Sequence, residues 1–166
     1  KSEVTSVFLL TGNIFNLEDI VKQLHQANKS VFIHIDFLEG FSKDYMAVDF
    51  IAKRVSPDGI ITSKTGLITI AKEMGIFAIL RINVVDSSSL KFCNELIVKA
   101  GPDALEITPG IIHKVTRLFK QNYKIPIITG GLIEDSKDIE LCVESGADAI
   151  ATSNKELWKD EYELFK

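Results

Sequence analysis

Short apolar runs alternate with amphipathic stretches along the whole chain, and the alternation itself predicts the elements. Val4–Leu10, Val31–Asp36, Gly59–Thr62, Ile76–Val84, Ala104–Ile107, Ile125–Thr129 and Ala149–Thr152 read as strands. Between them lie helical patterns. Asn16 caps the first, which runs to about Ala27 with Leu17, Ile20, Val21 and Leu24 on one face. Tyr45–Arg54 turns Met46, Phe50 and Ile51 inward, and Leu67–Met74 stops at Gly75. Asp86 or Ser87 caps a helix to Lys99, Pro109-Gly110 leads into one from about Ile111 to Lys120, and another covers Asp135 to about Ser145. A last amphipathic stretch carries Leu157, Trp158, Tyr162 and Phe165.

Strict strand–helix alternation with near-continuously apolar strands calls for a parallel sheet covered by helices. The 166 residues fit a single domain, 1–166. Seven strands are one short of a closed (β/α)8 TIM-barrel, so the expected fold is α/β of that type, with the first strand upstream of Lys1. An open doubly wound sheet is the second choice. It wants a phosphate loop after its first strand, and Thr11-Gly12-Asn13 is a poor one.

The chemistry gathers where strands end. Gly130 and Gly131 follow the sixth strand, and Thr152 and Ser153 follow the seventh. In a barrel the loops after the last two strands and a short extra helix form the usual phosphate site. Glycine backbone can approach a ligand closely, hydroxyls donate, and a helix starting near Asn154 would add its partial positive charge. The bland readings are a tight turn at Gly130-Gly131 and a capping box in Ser153-Asn154-Lys155-Glu156.

Alternation along the second strand sets Val31, Ile33 and Ile35 against the helices and leaves His34 and Asp36 on the opposite face. The same count places Thr62, Arg81 and Glu106 inward at strand ends. Charges converging there cost desolvation unless paired or used by a ligand. Arg81 and Glu106 also suit an internal ion pair, and His34 a hydrogen-bonded core histidine. His34, Asp36 and Glu106 form only a weak metal signal, so neither metal nor cofactor is expected.

Composition narrows the partners. With 46% apolar and 25% charged residues the chain is globular, and a net charge of −4 argues against general attachment to nucleic acid or anionic lipid. Lys114, Arg117 and Lys120 nevertheless recur every three residues, with Lys124 beyond them. The stripe is an RNA-contact candidate or a solvated helix face. No run reaches membrane-spanning length, and Cys93 and Cys142 read as buried thiols of a reducing, cytoplasmic setting. No interior strand lysine, nucleophile elbow or Walker loop is present.

In order and spacing, several motifs resemble the GlpP family of glycerol uptake operon antiterminator regulators. They are His34-Ile-Asp36 with Gly40, Asp58-Gly-Ile-Ile-Thr-Ser63, Arg81, Asp86-Ser87-Ser88, Pro102-Asp103, Glu106-Ile-Thr-Pro109-Gly110, Pro126-Ile-Ile-Thr-Gly-Gly-Leu-Ile133, Ala147 and Thr152-Ser-Asn-Lys-Glu-Leu-Trp158. The resemblance implies a cytoplasmic TIM-barrel regulator, not an enzyme. It would sense glycerol 3-phosphate and bind leader mRNA of glycerol-utilisation operons to prevent termination. By it, Gly130, Gly131, Thr152 and Ser153 would hold the phosphate, while His34, Asp36, Arg81 and Glu106 would line the glycerol side or complete the anion site. The ligand would act through the mouth loops or a homo-oligomer interface. Asn83, Thr108 and Thr129 depart from the family's usual residues and add polarity. The competing function is a barrel enzyme on a small phosphorylated metabolite, with His34, Asp36 and Glu106 as acid, base or metal ligands.

Overall fold

The computed structural model describes residues 3–158. Seven parallel strands follow one another in chain order. They are β1 (Ser6–Leu9), β2 (Ser30–His34), β3 (Gly59–Thr62), β4 (Phe77–Asn83), β5 (Ala104–Thr108), β6 (Ile127–Gly130) and β7 (Ala149–Ala151). The helices are α1 (Leu17–Gln26), α2 (Tyr45–Phe50), α3 (Thr65–Glu73), α4 (Ser87–Ala100), α5 (His113–Asn122) and α6 (Ser136–Glu144). The chain divides into two compact units. One comprises Thr5–Leu80 with Leu96–Pro102, and the other Lys1–Val4, Arg81–Glu95 and Asp103–Lys166. We call them the amino-terminal and carboxy-terminal units.

In the amino-terminal unit, register sets Ile33 beside Ile60 and Ile60 beside Ala78. Val31, Ile33 and Ile35 are fully buried, as the alternation predicts, together with Leu17, Val48, Ile51 and Ile68 from the helices. Each such Leu or Ile contributes about 1.5–3 kcal/mol by leaving water. On the other side of the strands Phe8, Phe32 and Phe77 form an edge-to-face ladder, with centroids 5.6 and 6.0 Å apart. Gly59 makes room for it: a Cβ there would stand 2.7 Å from the Phe32 ring and 2.6 Å from the Phe77 carbonyl oxygen.

Three local expectations are corrected here. Asn16 does not cap α1 with its side chain; its Oδ1 instead accepts the Asn13 amide at 2.8 Å, tightening the preceding loop. Met46 is 68% exposed, because Asp44 starts α2 by accepting the Ala47 amide and thereby turns Ala47 and Val48 inward. The segment predicted as one helix to Arg54 changes to a π-helical turn over Ile51–Val55.

The carboxy-terminal unit repeats the plan. Leu105, Ile107 and Ile127 are fully buried, and Ile133, Ile139, Cys142 and Ala147 form a smaller core against which Ile150 and Leu157 pack. Both cysteines are free and buried. Asp148, just before β7, accepts the Ile127 amide at 2.8 Å and so fixes the start of β6. Asp58, just before β3, does the same for β2 through the Val31 amide at 2.7 Å. Of the last amphipathic stretch, Leu157 ends a 3-10 turn over Lys155–Leu157, while Tyr162 and Phe165 lie outside the described residues. Among the described residues no helix is long and apolar enough to cross a membrane.

Candidate functional site

At the carboxy end of β5, β6 and β7 the loops are stitched together by their own backbone. The Gly110 amide donates to the carbonyls of Gly130 (2.6 Å) and Gly131 (3.0 Å). Thr152 Oγ1 donates to the Ile133 carbonyl at 2.9 Å and accepts the Asn154 amide at 3.1 Å. Asn154 Nδ2 reaches the Glu134 carbonyl at 2.8 Å, and Trp158 Nε1 reaches the Thr152 carbonyl at 2.9 Å. Gly130-Gly131 and Thr152-Ser153 are therefore adjacent, but the Thr152 hydroxyl is already occupied in joining the loops.

The short helix expected at Asn154 is a three-residue 3-10 turn. Its cap is Asn154, whose Oδ1 accepts the Glu156 amide at 3.1 Å. Ser153 is thus displaced from the capping-box role and stands exposed. A single tight turn has no run of aligned peptides, so the helix-dipole part of the expected phosphate site is absent there.

Glu106 and Arg81 are also in this unit. Glu106 is 5% exposed. Its Oε1 lies so near Gly130 that a Cβ on that glycine would come within 3.1 Å. Its Oε2 sits 3.9 Å from Arg81 Nε and has no hydrogen-bond partner among the described residues. Burial pushes the Glu106 pKa above the ordinary carboxylate range, and the Arg81 charge offsets this only in part. The contact is an ion pair at the limit of its range. Burying a carboxylate oxygen without a donor costs about 1–3 kcal/mol or more.

Beside it, Thr108 Oγ1 lies 3.3 Å from both the Ile82 carbonyl and Asn83 Oδ1. Asn83 is exposed. Thr129 is fully buried and on the helix side, next to the Cys142 thiol. Burial raises the Cys142 pKa, with Thr129 opposing, although Thr129 Oγ1 makes no hydrogen bond of ordinary geometry among the described residues. Of the three departures, Asn83 and Thr108 add polarity near Glu106 and Thr129 does not.

His34, Asp36 and Thr62 form a second cluster, in the amino-terminal unit. Asp36 is not the last residue of a strand, because β2 ends at His34 and the chain turns through a 3-10 turn over Ile35–Phe37. The turn aims the Asp36 carboxylate at the end of β3. There it accepts Thr62 Oγ1 at 2.9 Å, the Ser63 amide at 2.8 Å and Ser63 Oγ at 3.0 Å. Burial works to raise the Asp36 pKa, but these donors and the nearby His34 outweigh it, and the net shift is downward. His34 is 1% exposed, its ring tilted against Phe37 at 4.2 Å.

Lys43 was not anticipated. Its ammonium donates to the carbonyls of Ile35 and Leu38 and fixes the same turn. Burial lowers its pKa, Asp36 opposes the shift, and Lys64 adds to it. The available signal was a lysine immediately before a helix cap, in Gly40-Phe41-Ser42-Lys43-Asp44. Among the described residues no three His, Cys, Asp or Glu side chains are grouped to hold a metal ion.

The basic stripe separates into parts. Lys120 is held by Asp148, with Nζ 2.6 and 2.7 Å from the two carboxylate oxygens. Lys124 lies beyond the end of α5. Lys114 and Arg117 are exposed on α5 itself.

Comparison with known proteins places these features. The model of the glycerol-3-phosphate responsive antiterminator family matches residues 1–158. The chain belongs to that family. Its α/β fold is of the TIM-barrel type. A solved structure of the glycerol uptake operon antiterminator regulatory protein from Listeria monocytogenes is 38% identical, with a TM-score of 0.89 over 93% of this chain and 84% of that one. A glycerol uptake operon antiterminator-related protein from Thermotoga maritima is 34% identical, with a TM-score of 0.86 over 94% and 88%. YgcP of Escherichia coli K12 is 34% identical over 95% of this chain and 82% of its own length. In this chain the glycine pair, Glu106 and Arg81 occupy one unit, and His34, Asp36 and Thr62 the other.

Proposed function

We propose that the chain is a cytoplasmic regulator without catalytic activity, which binds glycerol 3-phosphate and, in one of two states, the leader mRNA of a glycerol-utilisation operon. The observation that carries the ligand reading is Glu106 Oε2, buried beside Arg81 and Gly130 without a hydrogen-bond donor among the described residues. A polyol hydroxyl supplies the missing donor. Arg81 offers charge to the phosphate, and the backbone of Gly130-Gly131 with the Ser153 hydroxyl receives it. Thr152 holds the two loops in place. In the amino-terminal unit, Asp36 orders Thr62 and Ser63 at the end of β3, and His34 supports Asp36 electrostatically.

Regulation requires the ligand to bind the two states with different affinity. A tenfold change in RNA affinity corresponds to about 1.4 kcal/mol of coupling. Lys114, Arg117, Lys120 and Lys124 are the candidate RNA contacts, the first two most directly, since Lys120 is shared with Asp148. A homo-oligomer interface is a second place where the two states can differ.

Isothermal titration with glycerol 3-phosphate tests the reading, with glycerol and inorganic phosphate as controls and Arg81→Ala as the comparison. Binding tighter than both controls and weakened in Arg81→Ala is expected. Equal binding of all three ligands refutes it. The raised pKa of Glu106 also suits a general acid. Conversion of glycerol 3-phosphate by the wild-type chain, lost in Glu106→Gln, would replace the regulator with an enzyme.

A further inference from the structure

α4 and α5 leave a continuous furrow between them in the carboxy-terminal unit. One part, of about 470 Å³, runs from Val85 and Ser87 at the start of α4 to Lys114 and Arg117 on α5. The other, of about 270 Å³, continues past Lys91 and Asn94 to Tyr123. Leu90 and Leu118 line both parts. The floor is apolar and open: Leu118 is 42% and Val85 80% exposed.

Three cations, Lys91, Lys114 and Arg117, line the furrow, on a protein whose net charge is −4. Among the described residues that line it the one acid, Asp86, is occupied in capping α4, where its Oδ1 accepts the Ser89 amide at 2.8 Å and Ser88 Oγ at 2.7 Å. Gln121 adds a side-chain amide carrying donor and acceptor together, and Asn94 adds its amide N–H donors, its Oδ1 being taken by the Tyr123 hydroxyl. Cations spaced along an apolar trough with amides on its edge match the parts of an unpaired nucleotide: phosphate, base face and base edge.

We infer that the furrow between α4 and α5 takes single-stranded RNA, with phosphates on Lys91, Lys114 and Arg117 and an unstacked base over Leu90 and Leu118. The inference rests on the regulator reading above and replaces its helix-face stripe by a two-helix groove that excludes Lys120. An RNA is selected from a random-sequence single-stranded pool on the immobilised full chain with glycerol 3-phosphate present. Its affinity is then measured by fluorescence anisotropy over a range of salt. Lys114→Ala with Arg117→Ala should weaken binding about tenfold at low salt and reduce the salt slope by about two. Leu118→Asn should weaken binding and leave the slope unchanged, since it removes base contact and no charge. Lys22→Ala with Lys53→Ala, in the amino-terminal unit, should do neither, and unchanged far-UV dichroism and melting confirm that each variant is folded. Selected RNA bound equally well by wild type and the Lys114/Arg117 variant overturns the groove and leaves the regulator standing. Failure to enrich any RNA, with or without glycerol 3-phosphate, overturns both. Polyglutamate displacing the RNA as effectively as unlabelled RNA marks a general surface for acidic peptides and also overturns the groove.

Discussion

Replacing each of the two adjacent glycines by alanine separates binding from stability, because the same added methyl group meets opposite conditions. At Gly130 the backbone is ordinary, but the new Cβ would come within 3.1 Å of Glu106 Oε1 and 3.4 Å of Ala151. The carboxylate must move by a few tenths of an ångström, away from the position in which Oε2 faces Arg81. At Gly131 the space is open, with nothing nearer than 3.9 Å, but φ is +81°. An L-residue there pays about 1–2 kcal/mol of left-handed strain. Gly130→Ala gains about 0.4–1 kcal/mol from the stiffer unfolded chain, which offsets the crowding and leaves stability nearly unchanged. Its ligand cost is the loss of a charge-assisted hydrogen bond to the polyol, about 1.5–3 kcal/mol, or roughly tenfold to a hundredfold in Kd. Gly131→Ala should show the reverse: a lower midpoint in urea, and affinity much closer to wild type once the protein is folded. Titration calorimetry with glycerol 3-phosphate and urea unfolding on both variants measure the four quantities. Wild-type affinity in Gly130→Ala would refute the placement of the ligand against Glu106.

Three further perturbations follow from the hydrogen bonds and charges. Asp36→Asn should cost about 1–3 kcal/mol at neutral pH, because the carboxylate accepts three donors. Since the folded-state pKa is depressed, the wild type's advantage is present above the unfolded carboxylate value and lost as pH falls through the folded one; urea titrations from neutral to strongly acidic pH check this. Glu106 is shifted the other way, so its ionised form weakens the fold as pH rises from the unfolded value through the raised folded one. Glu106→Gln should therefore melt higher than wild type above that window and lose the advantage below it, while binding glycerol 3-phosphate more weakly at neutral pH. Thr152→Val breaks the link between the loops after β6 and β7, at about 1–3 kcal/mol for the Ile133 carbonyl left unpaired. Addition of saturating ligand should leave that difference in midpoint in place; a hydroxyl that itself bound phosphate would make it grow.

Periodicity carried the fold well and the local chemistry less well, for a physical reason. Burial is decided by which side of an element a residue faces, and strand alternation states that directly: Val31, Ile33 and Ile35 are all fully buried. Polar function is decided by hydrogen-bond partners, often backbone groups far along the chain, and spacing does not report them. Alternation makes Asp36 the end of a strand, but a 3-10 turn swings its carboxylate onto Thr62 and Ser63. Ser153 fits a capping box by composition, yet the cap is Asn154, whose Oδ1 accepts the amide two residues on in a single 3-10 turn. Met46 followed helical spacing, which failed once Asp44 set the start of α2. Lys120 belonged to a stripe by its three-residue recurrence, yet Asp148, 28 residues on, holds its ammonium. Gly130-Gly131 and Glu106 were legible as a pair of features, but their contact was not, since it depends on register between β5 and β6.

That contact is what gives the site its direction. A carboxylate kept only for stability is best placed with both oxygens satisfied, as Asp36 and Asp148 are. Glu106 instead has one oxygen set tightly against a residue without a side chain and the other facing an arginine at 3.9 Å, with its pKa raised because burial outweighs that charge. The arrangement is poor for the empty protein and good for a complex, because a hydroxyl donor on the ligand would relieve the desolvation that the fold leaves standing. A ligand bound as proposed would stabilise whichever state holds Glu106 in this position, by an amount that grows with the logarithm of ligand concentration over Kd. A state that moves β5 relative to β6 would separate Glu106 from Gly130. On the proposed reading sensing and folding meet at the same pair of strands, and a regulator needs a ligand whose absence costs the bound conformation something.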